Sequence, residues 1–467
     1  MQNSGPLLPL GLAVIVISTL AIIIPVVRGK SDALTFWNIF HVSCITFIGI
    51  GCIEVVYGEF HWEQLQWFQP TKRDVQILVV GTILFYISVF TSYYLLAKPI
   101  RGVTGRFLNK WPPNSLALTL LMVALALIAT IGTLATTNIF YLGNLMLNLS
   151  QKASVFAIVF TFCHWYQNKR QLPLLFLFLG LFIYLALFVM VTFVGRRLIM
   201  SIVIGPLVCM YWLKWRYSSP KTIFAGMVIA GLMTFSVALF YSSFRHSSAI
   251  WGKEGERSFA NVLKAVEQTS VQGMVDYFTS QSLHYFSQYT QHYSLLTIHL
   301  IEAREIEVQP LNTLAFLATY PVPRGLWAGK PQALGGRIVT DVLRLSAQTN
   351  WGLGIVGHGW HEGGYAVIIF YGFLMVVVIR LMDDAMRRHP DNRFLIATFV
   401  AASPHVLAFT RGDTVTMSTE ILEAFAFAWL VGTMGRFMFG TERQTGPTGG
   451  AMPPLDYRTG QVYPAKR

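Results

Sequence analysis

Long apolar runs recur along this chain, separated mostly by short polar stretches, and each is of a length to cross the hydrocarbon core of a bilayer. They predict eleven spans, at 6–27, 35–57, 75–97, 114–136, 152–168, 173–194, 198–213, 222–241, 364–382, 393–410 and 417–438. The fold class this predicts is an all-α polytopic membrane protein. One polar stretch breaks the rhythm, Ser242 to Glu362, which is far longer than any other interval. The chain therefore divides into spans one to eight (1–241), a loop domain (242–362), spans nine to eleven (363–439) and a tail (440–467). The tail is rich in Pro, Gly and Thr without apolar periodicity and is expected to be disordered. The first span has no basic n-region before it and no small-residue cleavage site, so it reads as a retained helix.

The loop domain falls into three parts. From about Ser258 to Ala303 apolar residues recur at three- and four-residue spacing, which predicts helix. Interleaved tyrosines (Tyr277, Tyr285, Tyr289, Tyr293) fit either the headgroup level of a membrane or packing against the spans. The second part is basic, with Arg324, Lys330, Arg337 and Arg344 set against Asp341 alone. Prolines 321, 323 and 331 stiffen the chain around Arg324 and Lys330 by fixing φ. A guanidinium fork and an ammonium on stiff backbone suit a phosphate-bearing ligand, and contact with anionic lipid headgroups is the other reading. The third part, Gly352 to Tyr365, carries glycines 352, 354, 357, 359, 363 and 364, a density that permits tight turns and close backbone approach. His358, His361 and Glu362 lie within it, where an acid or base at a partly dry membrane edge acquires a shifted pKa. An anchoring hydrogen bond serves the same residues equally well. A metal reading of the two histidines lacks a third ligand, and no metal site is expected.

Composition agrees with the membrane reading: 54% of residues are hydrophobic and 12% charged, about half the usual charge density. The net charge of +13 is not a nucleic-acid signature, because the Lys and Arg residues concentrate in short loops between spans. Twenty of them fall in the loops after odd-numbered spans and in the tail, against six in the short loops of opposite parity. The positive-inside rule then puts the N-terminus outside, the C-terminus in the cytoplasm and the long segment outside. All four cysteines lie in apolar spans, which leaves no disulfide framework for the loop domain. Clearly intramembrane ionisable residues are few, Glu54 and His405 being the main ones, which counts against a transport path. No internal repeat supports an inverted-repeat transporter.

Two outward loops carry arginines against the topology rule: Arg196–Arg197 in FVGRRL, and Arg411 near Asp413 in TRGDT. Charges there mark function unless paired, and Asp413 or Glu420 is a structural partner for Arg411. The Arg196–Arg197 pair has no acid nearby in sequence, so a carboxylate of the long segment or a ligand phosphate must meet it.

Taken together, the late outward loop, the Gly-Arg turn before it, the PR-x(5)-KP stretch and the glycine-rich entry with Glu362 and Tyr365 resemble bacterial O-antigen polymerases of the Wzy type. The resemblance is clearest over Tyr320 to Phe373. Where members of that group often read Glu-x-Tyr-x-Asn-Phe-Gly, this chain has Glu362-Gly-Gly-Tyr365 and lacks the Asn-Phe pair. The resemblance implies a GT-C-like glycosyltransferase that joins glycan repeat units carried on undecaprenyl diphosphate at the outer face of the bacterial cytoplasmic membrane. It implies a metal-independent reaction without a cofactor, with a chain-length regulator and a flippase as partners. Carried onto this chain, Arg196, Arg197, Arg324 and Lys330 would hold the diphosphate, and Glu362 or His358 would act as general base. Arg411 and Asp413 would complete the pocket, and Trp327 and Trp360 would stack on sugars, Trp360 serving otherwise as an interface anchor. An O-antigen ligase, which hands the glycan to a lipid acceptor, and a polysaccharide transporter are the rival readings.

Overall fold

The structure, a computed structural model, describes residues 4–57, 68–107, 110–136, 140–168, 170–192, 196–245, 247, 259–320, 322, 327, 329–344, 351–412 and 414–443. Arg324, Asp413 and the tail beyond Arg443 lie outside the described residues, as does the side chain of Arg196.

Among the described residues the regular structure is helical, apart from a two-residue pairing of Lys110–Trp111 with Glu442–Arg443. Helices α1 (Leu7–Val27), α2 (Phe36–Tyr57) and α3 (Lys72–Leu95) are followed by a short basic helix, α4 (Ala97–Phe107). Next come α5 (Leu116–Ala135), α6 (Phe140–Gln167), α7 (Leu172–Thr192), α8 (Arg196–Leu213) and α9 (Pro220–Arg245). The long segment supplies α10 (Phe259–Gln268), α11 (Val271–Ser287), α12 (Thr290–Glu302), α13 (Asn312–Thr319) and α14 (Gly354–Gly363). The chain ends with α15 (Tyr365–Arg388), α16 (Arg393–Leu407) and α17 (Thr414–Phe439).

Among the described residues ten helices are long and apolar enough to cross a membrane, as in a multi-pass membrane protein. The tenth expected span, 393–410, is α16, which has only 15 residues, a length of about 22 Å. It is short because Asn392 caps its start by accepting from the Leu395 amide, and a turn follows Leu407. Yet it is the axis of the bundle: every residue from Arg393 to Val406 is buried. Lipid-like exposure sits elsewhere, since only 6% of the α9 window is buried against 67% for α6. A second correction concerns α6, which begins at Phe140 and not near 152. Asn148, Ser150 and Lys152 made its first turns look like loop, but they are helical, and Lys152 is buried.

The segment expected to be helical over 258–303 forms α10, α11 and α12. The last break, at Gln288–Tyr289, is a pair of left-handed residues with φ of 51° and 54°. Tyr289 and Tyr293 are buried, and Tyr293 stacks on Trp351 with centroids 4.4 Å apart, so these two rings pack inward. The glycine-rich stretch, read from sequence as a set of turns, is mainly the helix α14. Its ends are turns, with Gly354 and Gly364 at φ of 65° and 70°. Its interior glycines let it press against its neighbours: a Cβ on Gly357 would stand 2.9 Å from Ser294 Cα, and one on Gly359 2.6 Å from Ile368 Cγ1. Gly357→Ala is therefore expected to lower stability by about 1–3 kcal/mol, read as a fall in the melting temperature of the detergent-solubilised protein.

Candidate functional site

Near the end of the bundle that carries the long segment, four helices and one loop bring ionisable groups together. Asn148 and Lys152 are four residues apart on α6, and Glu420 and Glu423 three apart on α17, so each pair lies along one helix face. Lys152 donates to Glu420 and lies 3.4 Å from Glu423. His405, near the end of α16, sets Nε2 3.7 Å from Glu420. Arg197, in the first turn of α8, acts electrostatically on His405, as does Lys152. Tyr320, just past α13, accepts from Asn148 Nδ2 at 3.1 Å and interacts with Glu423. Burial first, then the neighbouring carboxylates, push the Tyr320 phenol above its ordinary range, so it stays protonated. Lys152 and His405 are nearly enclosed, whereas the Glu420 and Glu423 side chains remain 19% and 21% exposed. A buried ammonium is tolerated only with such partners.

The basic loop roofs this cluster. Lys330 is buried and returns its ammonium to the carbonyls of Tyr320 (2.8 Å) and Val322 (2.9 Å), over the rings of Phe316 and Tyr320. Asn312 Nδ2 donates to the Gln332 carbonyl at 2.9 Å. Lys330 and Gln332 are thus tied back to the two ends of α13. Trp327 is on the same loop and 43% exposed.

The start of α13 is also fixed by the predicted acid–base pair. Glu362 and His358, one turn apart on α14, meet at 2.9 Å. Glu362 also accepts from the Thr313 amide (3.0 Å), the Thr313 hydroxyl (2.7 Å) and the Tyr371 hydroxyl. Burial pushes its pKa up, but His358, Tyr371 and Thr313 together outweigh this and hold it at about 2. Both side chains are wholly enclosed. A carboxylate so engaged is a latch between α13, α14 and α15. His361, held by burial at about 4, belongs to the same knot. Among the described residues no three His, Cys, Asp or Glu side chains gather as metal ligands would.

The remaining sequence candidates lie apart. Arg411 backs onto the start of α14, its carbonyl accepting from the Gly354 amide at 3.2 Å. Trp360 donates to Glu302, which pairs with Arg73 at 2.5 Å, and meets Tyr365 edge-on. The structure thus gathers Arg197 and Lys330 around one polar cluster and separates them from Glu362, His358 and Arg411. Sequence reading missed Asn148, Lys152, Tyr320 and Glu423, and took Glu420 only as a partner for Arg411. The available signal was the Glu420/Glu423 spacing on one face of an apolar helix.

The architecture is that of a multi-pass helical bundle with an ion-paired polar cluster under a folded loop. No family model, curated protein or solved structure matches the chain.

Proposed function

We propose that this protein is an integral-membrane glycosyltransferase that joins oligosaccharide repeat units carried on undecaprenyl diphosphate into a surface polysaccharide. The observation that carries this reading is the cluster of Lys152, Glu420, Glu423, Tyr320 and Arg197 under a basic loop: cations for a diphosphate leaving group stand beside carboxylates that can take a proton. On this reading Arg197 and Arg324 meet the diphosphate, and Lys330 ties its stretch back to the Tyr320 and Val322 carbonyls. The sidedness read from the basic loops puts the cluster at the outer face of the membrane, which suits a lipid-linked donor. Deleting the gene and resolving surface glycan on a gel tests this. Loss of long chains with single units still made is the expected result; unchanged glycan overturns it. Accumulated lipid-linked long chains would instead mark a ligase.

A carrier is the second reading, favoured by one observation. The span-forming helices hold more ionisable side chains than sequence reading counted, Lys152, Glu420 and Glu423 being added to Glu54 and His405. In that case deletion would leave lipid-linked single units inaccessible from outside the cell.

A further inference from the structure

We infer that Glu423 is the group that takes the proton from the acceptor hydroxyl, with Tyr320 and Asn148 ordering its surroundings. This rests on the transferase reading above.

Three observations select Glu423. Glu362, the base expected from sequence, has no exposed surface and accepts from four donors, so no substrate hydroxyl reaches it. Glu420 is committed to Lys152 and also faces His405. Glu423 stands farther from the ammonium, at 3.4 Å, and keeps 21% of its side chain open. Its surroundings are ordered: Asn148 donates to Tyr320 at 3.1 Å, and the Tyr320 phenol interacts with the Glu423 carboxylate. The cluster also has unspent hydrogen-bonding capacity, because His405 is 7% exposed and its Nδ1 has no partner among the described residues.

In the step, the acceptor oxygen forms a bond to the anomeric carbon of the donor as the bond from that carbon to the diphosphate oxygen breaks. The electron pair leaves on the lipid diphosphate, and the hydroxyl proton passes to the Glu423 carboxylate. Lys152 donates to Glu420 and holds it in place beside Glu423.

The test uses the full-length chain in a strain lacking the gene, with glycan chains resolved on a gel. Glu423→Gln is expected to cut long-chain product by about 100-fold or more, as loss of a general base does. Its membrane level should be unchanged and its melting temperature within about 3 °C of the parent. Glu423→Asp, which restores the carboxylate, should recover part of the product. A smaller loss in Glu423→Gln, a loss accompanied by a larger fall in melting temperature, or no recovery in Glu423→Asp overturns the assignment. If deletion of the gene itself leaves the glycan unchanged, the transferase reading has failed. If the parent chain restores long chains and Glu423→Gln does so equally, only the role of Glu423 has failed.

Discussion

Lys152→Met is expected to destabilise the protein by about 3–5 kcal/mol, the scale seen when one member of a buried ion pair is removed. Methionine fills much of the space of the lysine stem, so the loss is electrostatic and not a cavity effect. The ammonium is the cation within ion-pair distance of both Glu420 and Glu423. Without it the two carboxylates, one turn apart, repel each other in surroundings only partly open to solvent. The double variant Lys152→Met with Glu420→Gln should recover a good part of the loss, because it removes one of the stranded charges. Thermal unfolding of the four proteins of this cycle, at one detergent and one ionic strength, gives the coupling directly. Equal and additive losses would mean that the pair contributes nothing.

The second large effect is expected at the latch. Glu362→Gln replaces an acceptor of four hydrogen bonds by an amide that turns two N–H groups toward donors. A loss of about 2–4 kcal/mol is expected, together with faster proteolysis around α13 while the rest of the bundle stays protected. The same latch gives a pH dependence whose sign is fixed. The Glu362 carboxyl lies at about 2 in the folded protein against an ordinary 4.5, so its contribution is complete above 4.5 and is lost as pH falls toward 2. His361 lies at about 4 against 6.5. The folded state resists its protonation, so stability also falls as pH drops from 6.5 to 4. Melting temperature should therefore decline in two stages on acidification, and Glu362→Gln should remove the lower stage.

Hydropathy alone located the long helices, because an apolar run of span length has few other uses. It misjudged the two helices whose polar residues are satisfied by distant parts of the chain. Lys152 looked like the edge of a loop because its partners, Glu420 and Glu423, lie far along the sequence. Arg393, at the start of α16, is buried for the same reason, its guanidinium bonded to Gln167 and to His164. The glycines of 352–365 were legible as a place of close approach. That the approach is helix against helix, with Ser294 as the neighbour of Gly357, depends on where α12 folds back. Glu362 was legible as a special residue, though its neighbours Thr313 and Tyr371 give it the surroundings of a latch. Among the site residues, Arg197 and Lys330 stood out because they break the charge pattern of their surroundings. Tyr320 carried no such mark, one tyrosine among many.

The shortness of α16 bears on how the chain meets the bilayer. With 15 residues, a buried arginine at one end and a proline at 404, it is a poor candidate for crossing lipid alone, which takes about 20 apolar residues. Helix α17 follows after a turn of a few residues, and its own mean hydropathy of 1.3 is the lowest of the ten long helices. The two pack on each other, and α16 packs on α6 and α8, so the charges of this hairpin are met by protein and not by lipid. Glu420 and Glu423 therefore meet Lys152 only when this helical hairpin packs against α6.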